Sequence, residues 1–214
     1  MKYTTRDLQA RLAALGFHPG PIDGLRGRRT KAALDAAMYD RVVTDPRHLF
    51  HRSGLHRIHW HWTAGAYGEI MMELDRYNIL IDQDGNEVEG TFPPIAQAGY
   101  RSRFAASHTL SANTGAIGLS LDCMANAREW PFDAGKYPMT RAQVAALATT
   151  TARLCKQYDI PVSRWSTLSH AEIQPTLGIR QRFKWDITWL PGMTRPGDPV
   201  EVGDKLRDMV RAAM

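Results

Sequence analysis

Apolar and polar side chains alternate through a short stretch of the chain, at residues 58–62. A period of two is typical of a β-strand with one buried face. The apolar face carries Ile58, Trp60 and Trp62. His59 and His61 then share the opposite face. Two imidazoles on one face of a strand indicate either a metal site or a core strand that carries two incidental histidines.

Other elements follow from the same periodicities. Strands are predicted at 77–81 and 116–121, and Asp84-Gly85 predicts a hairpin turn after the first of them. A capping box that begins at Thr140 predicts a helix. Its inner face carries Val144, Leu147, Thr151, Leu154 and Tyr158. A short helix or turn is expected at 69–76, and a final amphipathic helix is expected at 204–214. The polar side of that last helix carries Lys205, Arg207 and Arg211.

Helical spacing also dominates the start of the chain. A first helix, capped by Thr4 or Thr5, is predicted to end at Gly16, and a second helix is predicted to open at Arg29. The two apolar faces carry Leu8, Leu12, Leu15, Ala33, Leu34, and Ala37 or Met38. A turn-rich connector separates the two helices. We therefore expect a small helical unit in front of the predicted strands.

The boundary between the two units is predicted at 41–53, where Asp45-Pro46 breaks any helix and Val42-Val43 ends the second helix or starts a connector. The predicted domains are 1–45 and 46–214. Three histidines of the connector are expected to be solvated or packing residues rather than metal ligands: His48, His51 and His56.

A second group of chemically capable residues lies far along the chain. His170 follows an apolar run, and Lys184 and Asp186 share one face of a predicted extended segment. A strand histidine, a distant histidine and an aspartate would give Zn²⁺ three protein ligands and leave the fourth position for water. A closed structural site would use more cysteine. The pattern predicts an open zinc site, with His61 or His59 as the strand ligand.

Four motifs, in this order, resemble the zinc-dependent N-acetylmuramoyl-L-alanine amidases of the type-2 family. They are His61-Trp62-Thr63-Ala64, residues 77–85 (YNILIDQDG), Ile117-Gly118-Leu119, and His170 with Lys184-Trp185-Asp186. That family includes phage lysozyme-like amidases, bacterial cell-wall recycling amidases and animal peptidoglycan recognition proteins. The resemblance covers residues 55–191. We expect an α/β (α+β) fold, a mixed β-sheet flanked by helices, with the zinc in a groove at one end of the strands.

The resemblance implies zinc ligands and a scissile bond. His61, His170 and Asp186 are the implied ligands, and the match to a His-x-Thr-Ala pattern favours His61 over His59. The bond is the amide between the lactyl group of N-acetylmuramic acid and the L-alanine of the stem peptide. Zinc would lower the pKa of a bound water from 15.7 to about 7 and polarise the amide carbonyl.

Two further residues are implied in catalysis. Lys184 would stabilise the charge that develops on the carbonyl oxygen, unless it is a solvated lysine or pairs with Asp186. Tyr77 would orient the zinc-bound water, since an unperturbed phenol with a pKa near 10 is a poor base at neutral pH. The alternative for Tyr77 is an ordinary strand aromatic.

Four residues are predicted to bind substrate. His108 and Asn113 match a histidine and an asparagine that the family places near its groove, and Trp62 and Thr63 complete the set. His108 could equally be a loop residue of no consequence. Ser120 stands where some recycling amidases carry a glutamate, which favours the version of the site built with tyrosine and lysine.

The helical unit resembles the peptidoglycan-binding domain that is commonly fused to cell-wall hydrolases. The resemblance rests on a pattern that runs from Leu8 through Leu15-Gly16-Phe17 and the Gly20–Gly24 turn to Ala33. The alternative is a helical hairpin that only packs on the main domain. A third helix is either lost or supplied around 47–51.

The composition of the chain limits its domain organisation, its binding partners and its location. The 214 residues suffice for a medium domain and a small one, and a formal net charge of +5 favours approach to an anionic surface. No basic stripe interleaved with aromatics points to nucleic acid. Cys123 and Cys155 are expected to be reduced and buried. The first residues lack the apolar core of a signal peptide, and no apolar run approaches the roughly 20 residues of a membrane span.

These features together predict a phage-type endolysin that acts on peptidoglycan as a monomer. We expect it to stay in the cytoplasm until it is released to the wall, without stable membrane insertion or nucleic-acid binding. A host autolysin exported by other means is less favoured. The alternatives are a non-catalytic peptidoglycan recognition protein, which would lack a complete metal triad, and a zinc peptidase that cuts within the stem peptide.

Overall fold

A computed structural model describes residues 3–41, 44–50, 53–68, 70–99 and 103–214. Predictions that involve Val42, Val43, His51 and Glu69 therefore lie outside the described residues, and the His48 side chain is not described either. Five strands and five α-helices form the described structure, with three short 3₁₀ turns at Pro46–Leu49, Ile70–Glu73 and Pro94–Gly99.

A five-stranded mixed sheet forms the centre of the molecule. The strands are β1 (Arg57–Trp62), β2 (Ile79–Ile81), β3 (Glu87–Glu89), β4 (Ala116–Leu121) and β5 (Thr167–Ser169). Their order is β3-β2-β4-β1-β5, and only β3 runs antiparallel to its neighbour. The predicted fold class is confirmed. All six residues of β1 are buried, so the expectation of a strand with a single buried face is wrong. The reason is that this parallel part of the sheet is covered on both of its faces.

Helices cover the sheet. The helices are α1 (Thr5–Ala14), α2 (Arg28–Asp40), α3 (Arg141–Tyr158), α4 (His170–Leu177) and α5 (Pro199–Ala212). The apolar face of β1 packs in one core with α3 and α5, and Trp60 Nε1 donates to Thr151 Oγ1 at 2.9 Å. The predicted capping box of Thr140 opens α3, and both cysteines are free and buried, as predicted. No helix in the described part of the chain is long and apolar enough to cross a membrane.

The N-terminal unit has a small core of its own but also packs on the rest of the chain. Its core joins α1, α2 and the turn at Pro46–Leu49. Ala10 and Ile22 pack with β5 and α4 on the face of the sheet opposite α3. Arg57 of β1 forms an ion pair with Asp7, and the buried Arg11 donates through Nη1 to Asp159 O at 3.2 Å. The orientation of α1 is thus fixed by buried polar contacts.

Two predicted elements have different bounds. The strand predicted at 77–81 is only Ile79–Ile81, because the Asn78 side chain, rather than a backbone carbonyl, accepts from Gly118 N at 2.8 Å. The last helix begins at Pro199 rather than at 204. A proline suits the first helical position, and the Asp198 side chain caps the helix through Val200 N at 2.9 Å.

The prediction that Arg207 lies on the solvent side of the last helix is wrong. Arg207 is fully buried and donates to Glu172 Oε1 and to Thr167 O, each at 2.7 Å. Gly203 permits this approach, because a Cβ there would lie 2.1 Å from Glu172 Oε2. Arg207 therefore joins α5 to β5 and to α4.

Candidate functional site

Three side chains from distant parts of the sequence meet at the carboxyl end of β1. His61 lies next to the last residue of β1, and His170 is the first residue of α4, directly after β5. Asp186 lies in a loop, where its carbonyl accepts from Ala171 N at 2.7 Å. The neighbouring parallel strands β1 and β5 bring the two histidines together, and the Ala171 contact brings in the aspartate.

The three side chains turn one atom each toward a common point. His61 Nδ1 lies 3.1 Å from His170 Nδ1 and 3.1 Å from Asp186 Oδ2, and the third distance, from His170 Nδ1 to Asp186 Oδ2, is 3.2 Å. All three side chains are buried. These atoms could hold a metal ion. Two imidazole lone pairs and a carboxylate oxygen at such distances repel one another unless a cation or protons lie between them.

Hydrogen bonds at the far side of each ring favour a lone pair at Nδ1. His170 Nε2 lies 3.1 Å from Gln181 Oε1, whose amide nitrogen donates to Leu110 O at 3.0 Å. His108 Nε2 lies 3.1 Å from Ala116 O and must donate to it, which leaves His108 Nδ1 as an acceptor 3.3 Å from His61 Nε2. These contacts assign the proton of the His61 ring and of the His170 ring to Nε2.

The protonation states of the cluster are also set by burial. Burial lowers the pKa of His61 to about 4, so the ring is neutral at pH 7. Burial alone would raise the pKa of Asp186, but the neighbouring His170 and His61 hold it well below its usual range. A neutral imidazole and an ionised carboxylate are the forms in which these residues bind metals.

Tyr77 and Lys184 lie at the same site. The rings of Tyr77 and His61 have centroids 5.2 Å apart. Burial, followed by the nearby Asp186 carboxylate, raises the pKa of Tyr77, so the phenol stays protonated. Lys184 is exposed in a groove of about 860 Å³ that it shares with Tyr77, His170 and Asp186, and its charge contributes to the low pKa of His61.

The residues predicted to bind substrate all line this groove, and three of them, Asn113, Thr63 and His108, form hydrogen bonds within the protein. Asn113 Oδ1 accepts from the amides of His108 and Thr109 at 3.1 and 2.9 Å. The Thr63 hydroxyl accepts from Gly65 N at 3.0 Å, and Trp62 packs edge to face on Trp185. The His108 ring fits against β4 because Gly118 has no Cβ, which would lie 2.5 Å from the ring.

Two residues near the cluster, His59 and Gln181, differ in how far the sequence identified them. His59 shares a face with His61 but lies outside the cluster, and its Nδ1 lies 3.1 Å from Thr109 Oγ1. Gln181 was not singled out from the sequence. The only feature of the sequence that points to Gln181 is its position shortly before Lys184. A single glutamine belongs to no periodic pattern that would mark it as the partner of a histidine.

A family described as N-acetylmuramoyl-L-alanine amidase matches residues 35–191. No curated protein matches the chain.

Solved structures give distant similarities. An N-acetylmuramoyl-L-alanine amidase, LysC from Clostridium intestinale URNW, is 18% identical with a TM-score of 0.42, over 71% of this chain and 84% of its own. The endolysine amidase LysCS from the same organism has the same identity and TM-score, over 71% and 82%. The Drosophila peptidoglycan recognition protein PGRP-SA is 16% identical with a TM-score of 0.38, over 57% and 70%.

Proposed function

Because this chain belongs to the N-acetylmuramoyl-L-alanine amidase family, a family of peptidoglycan hydrolases, we propose that it cleaves the amide between N-acetylmuramic acid and L-alanine in a zinc-dependent reaction. We further propose that it does so as a lytic endolysin. The observation that carries the proposal is the triangle of donor atoms from His61, His170 and Asp186.

The donor set fits zinc. Tetrahedral zinc with bonds of about 2.0 Å has ligand atoms about 3.3 Å apart. The observed separations of 3.1 to 3.2 Å are close to that edge length. Two neutral imidazoles and one carboxylate form the kind of three-residue set that leaves a position for water. When bound there, zinc would supply a hydroxide at neutral pH and polarise the scissile carbonyl.

Other residues of the chain would supply the remaining catalytic and positioning roles. Lys184 lies in the groove as a cation and would stabilise the negative charge that forms on the carbonyl oxygen. The protonated Tyr77 phenol would orient the attacking water and not act as a base, because its pKa is raised. His108 and Gln181 would act as positioning residues, since each fixes the ring of one ligand.

The substrate-binding assignments for Trp62, Thr63, His108 and Asn113 stay proposals. The groove they line is where the stem peptide and the sugar would meet the proposed zinc site. We also propose that residues 1–45 serve as the wall-binding unit of the endolysin.

Digestion of purified peptidoglycan tests the proposed reaction. The protein as purified, the chelator-treated protein and the same sample after Zn²⁺ is restored are each incubated with cell walls. We expect the turbidity to fall and mass spectrometry to detect stem peptides that begin at L-alanine. Chelation should abolish both signals, and zinc should restore them, because the hydroxide at neutral pH depends on the metal.

Other outcomes point to other functions. Zinc-dependent fragments cut inside the stem peptide would make the protein a peptidase. Sedimentation with the walls without any cleavage would make it a recognition protein. Release of sugars with an intact lactyl-peptide bond would contradict the proposed reaction outright.

Replacement of Lys184 tests the proposed stabilisation of charge. We expect Lys184→Met to lower kcat by about 10²- to 10³-fold, with zinc content and KM nearly unchanged, because the cation acts on charge that exists only in the transition state. Steady-state hydrolysis of a soluble muramyl peptide measures this change. Lys136→Met, at another exposed lysine, is the control. An unchanged kcat in Lys184→Met would show that this lysine is merely solvated.

A further inference from the structure

The groove at the proposed zinc site continues beyond it toward the N-terminal unit. Leu110, Ser111 and Arg182 line both the metal-site groove and a neighbouring depression. That depression is completed by Arg6 of α1 and by the segment after α4, which includes Arg180. We call the three guanidinium groups of Arg6, Arg180 and Arg182 the cationic arm.

The cationic arm forms no ion pair with any carboxylate that the structure describes. Arg180 and Arg182 are exposed and make no hydrogen bond or ion pair with any residue that the structure describes. Arg6 donates to two neutral carbonyls, Leu177 O at 3.1 Å and Asp23 O at 2.9 Å. Among the described lining residues of the groove and of the depression, Asp186 is the only one with a carboxylate.

Guanidinium groups that form no ion pair within the protein are suited to bind carboxylates, often through two parallel hydrogen bonds. Three of them along one groove also raise the local concentration of an anionic ligand. In the substrate of the proposed reaction, the lactyl carboxyl of the sugar is consumed in the scissile amide. The free carboxylates of an uncleaved muramyl peptide therefore belong to the peptide.

We propose that the cationic arm binds the free carboxylates of the stem peptide and so sets which stem peptides occupy the groove. This inference rests on the proposed function, because it takes the peptidoglycan peptide as the ligand of the groove. The N-terminal unit contributes directly. Arg6 is held in place by α1, whose neighbouring Asp7 pairs with Arg57 of the sheet and whose Ala10 packs in the core with α4.

A charge-matched pair of variants tests the cationic arm. Arg180→Gln/Arg182→Gln removes two exposed charges from it, and Arg195→Gln/Lys205→Gln removes two exposed charges that line neither the groove nor the depression. Each protein is assayed on a soluble muramyl peptide with free carboxylates and on the same peptide with its carboxylates converted to carboxamides. We expect only the first variant to raise KM, by about tenfold or more, on the carboxylate substrate. Its kcat, and its KM on the carboxamide substrate, should match the wild type.

Each other result overturns the proposal in a defined way. An equal rise in KM for the control variant would assign the effect to net charge alone. An equal rise on both substrates would assign it to groove shape. Calorimetry with the free stem peptide and with a glycerol phosphate polymer completes the test. If only the polymer binds and loses affinity in Arg180→Gln/Arg182→Gln, the cationic arm takes phosphates of a different wall component.

Failure of the proposed function and failure of the inference about the cationic arm give different results. If the wild type cleaves no muramyl peptide, the proposed function is wrong, and calorimetric binding of the free stem peptide still decides the role of the cationic arm. If the wild type cleaves and both variants behave as the wild type does, only the inference about the arm is wrong.

Discussion

Asp186→Ala is expected to abolish zinc binding and to reduce amide hydrolysis to background. Asp186 supplies the only anionic donor of the triangle, because the other two donors are imidazole nitrogens. Without bound metal the pKa of water returns from about 7 to 15.7, so hydroxide at neutral pH is lost. Zinc content by mass spectrometry and release of stem peptides measure the two effects.

Asp208→Ala is the matched control, because Asp208 is exposed and pairs only with Arg211 in the described structure. It should keep full zinc content and activity. An Asp186→Ala protein that is folded by circular dichroism and retains zinc and activity would refute the proposed ligand set.

Residues that orient the ligands should have smaller effects in the same zinc assay. Gln181→Ala and His108→Ala each remove the partner of a proposed ligand imidazole, His170 or His61. Loss of such a partner typically weakens metal binding by about 10- to 100-fold. We therefore expect the zinc affinity of these two variants to lie between that of the wild type and that of Asp186→Ala. Such intermediate values would distinguish residues that position a ligand from a residue that binds the metal directly.

The second large effect concerns stability. Arg207→Met is expected to lower the free energy of unfolding by about 3–5 kcal/mol, because it leaves the fully buried Glu172 carboxylate without its cation. Burial raises the pKa of Glu172, while the Arg207 charge opposes that rise. Loss of the cation would therefore leave an unpaired charge or force the uptake of a proton. Urea denaturation of each variant measures the change.

Two further variants test whether the loss of stability in Arg207→Met comes from the unpaired Glu172 carboxylate. Arg211→Met removes an exposed ion pair of the same helix and should cost below about 1 kcal/mol. Glu172→Gln/Arg207→Met should be more stable than Arg207→Met alone, because no unpaired carboxylate remains. If the double variant is less stable than Arg207→Met, packing of the arginine stem rather than charge dominates.

Much of the fold could be read from short-range patterns. The alternation around Trp60 predicted the strand β1, Asp84-Gly85 predicted the β2–β3 hairpin, and Thr140 predicted the start of α3. Each of these signals depends on residues within one element or one turn. The predicted bounds of a strand differ from the observed ones where a side chain replaces a backbone hydrogen-bond partner, as the Asn78 side chain does before β2.

The sequence by itself determined the residue types of the site, the strand that carries His61, and the helical nature of the N-terminal unit. Only the tertiary structure decided the meeting of His61 with His170 and Asp186, which lie 109 and 125 positions further along the chain. It also decided the burial of Arg207, the role of Gln181 beside His170, and the continuity of the groove with α1. The physical reason is that these features depend on contacts between elements far apart in sequence. Local periodicity specifies the face of an element but not the partner that covers it.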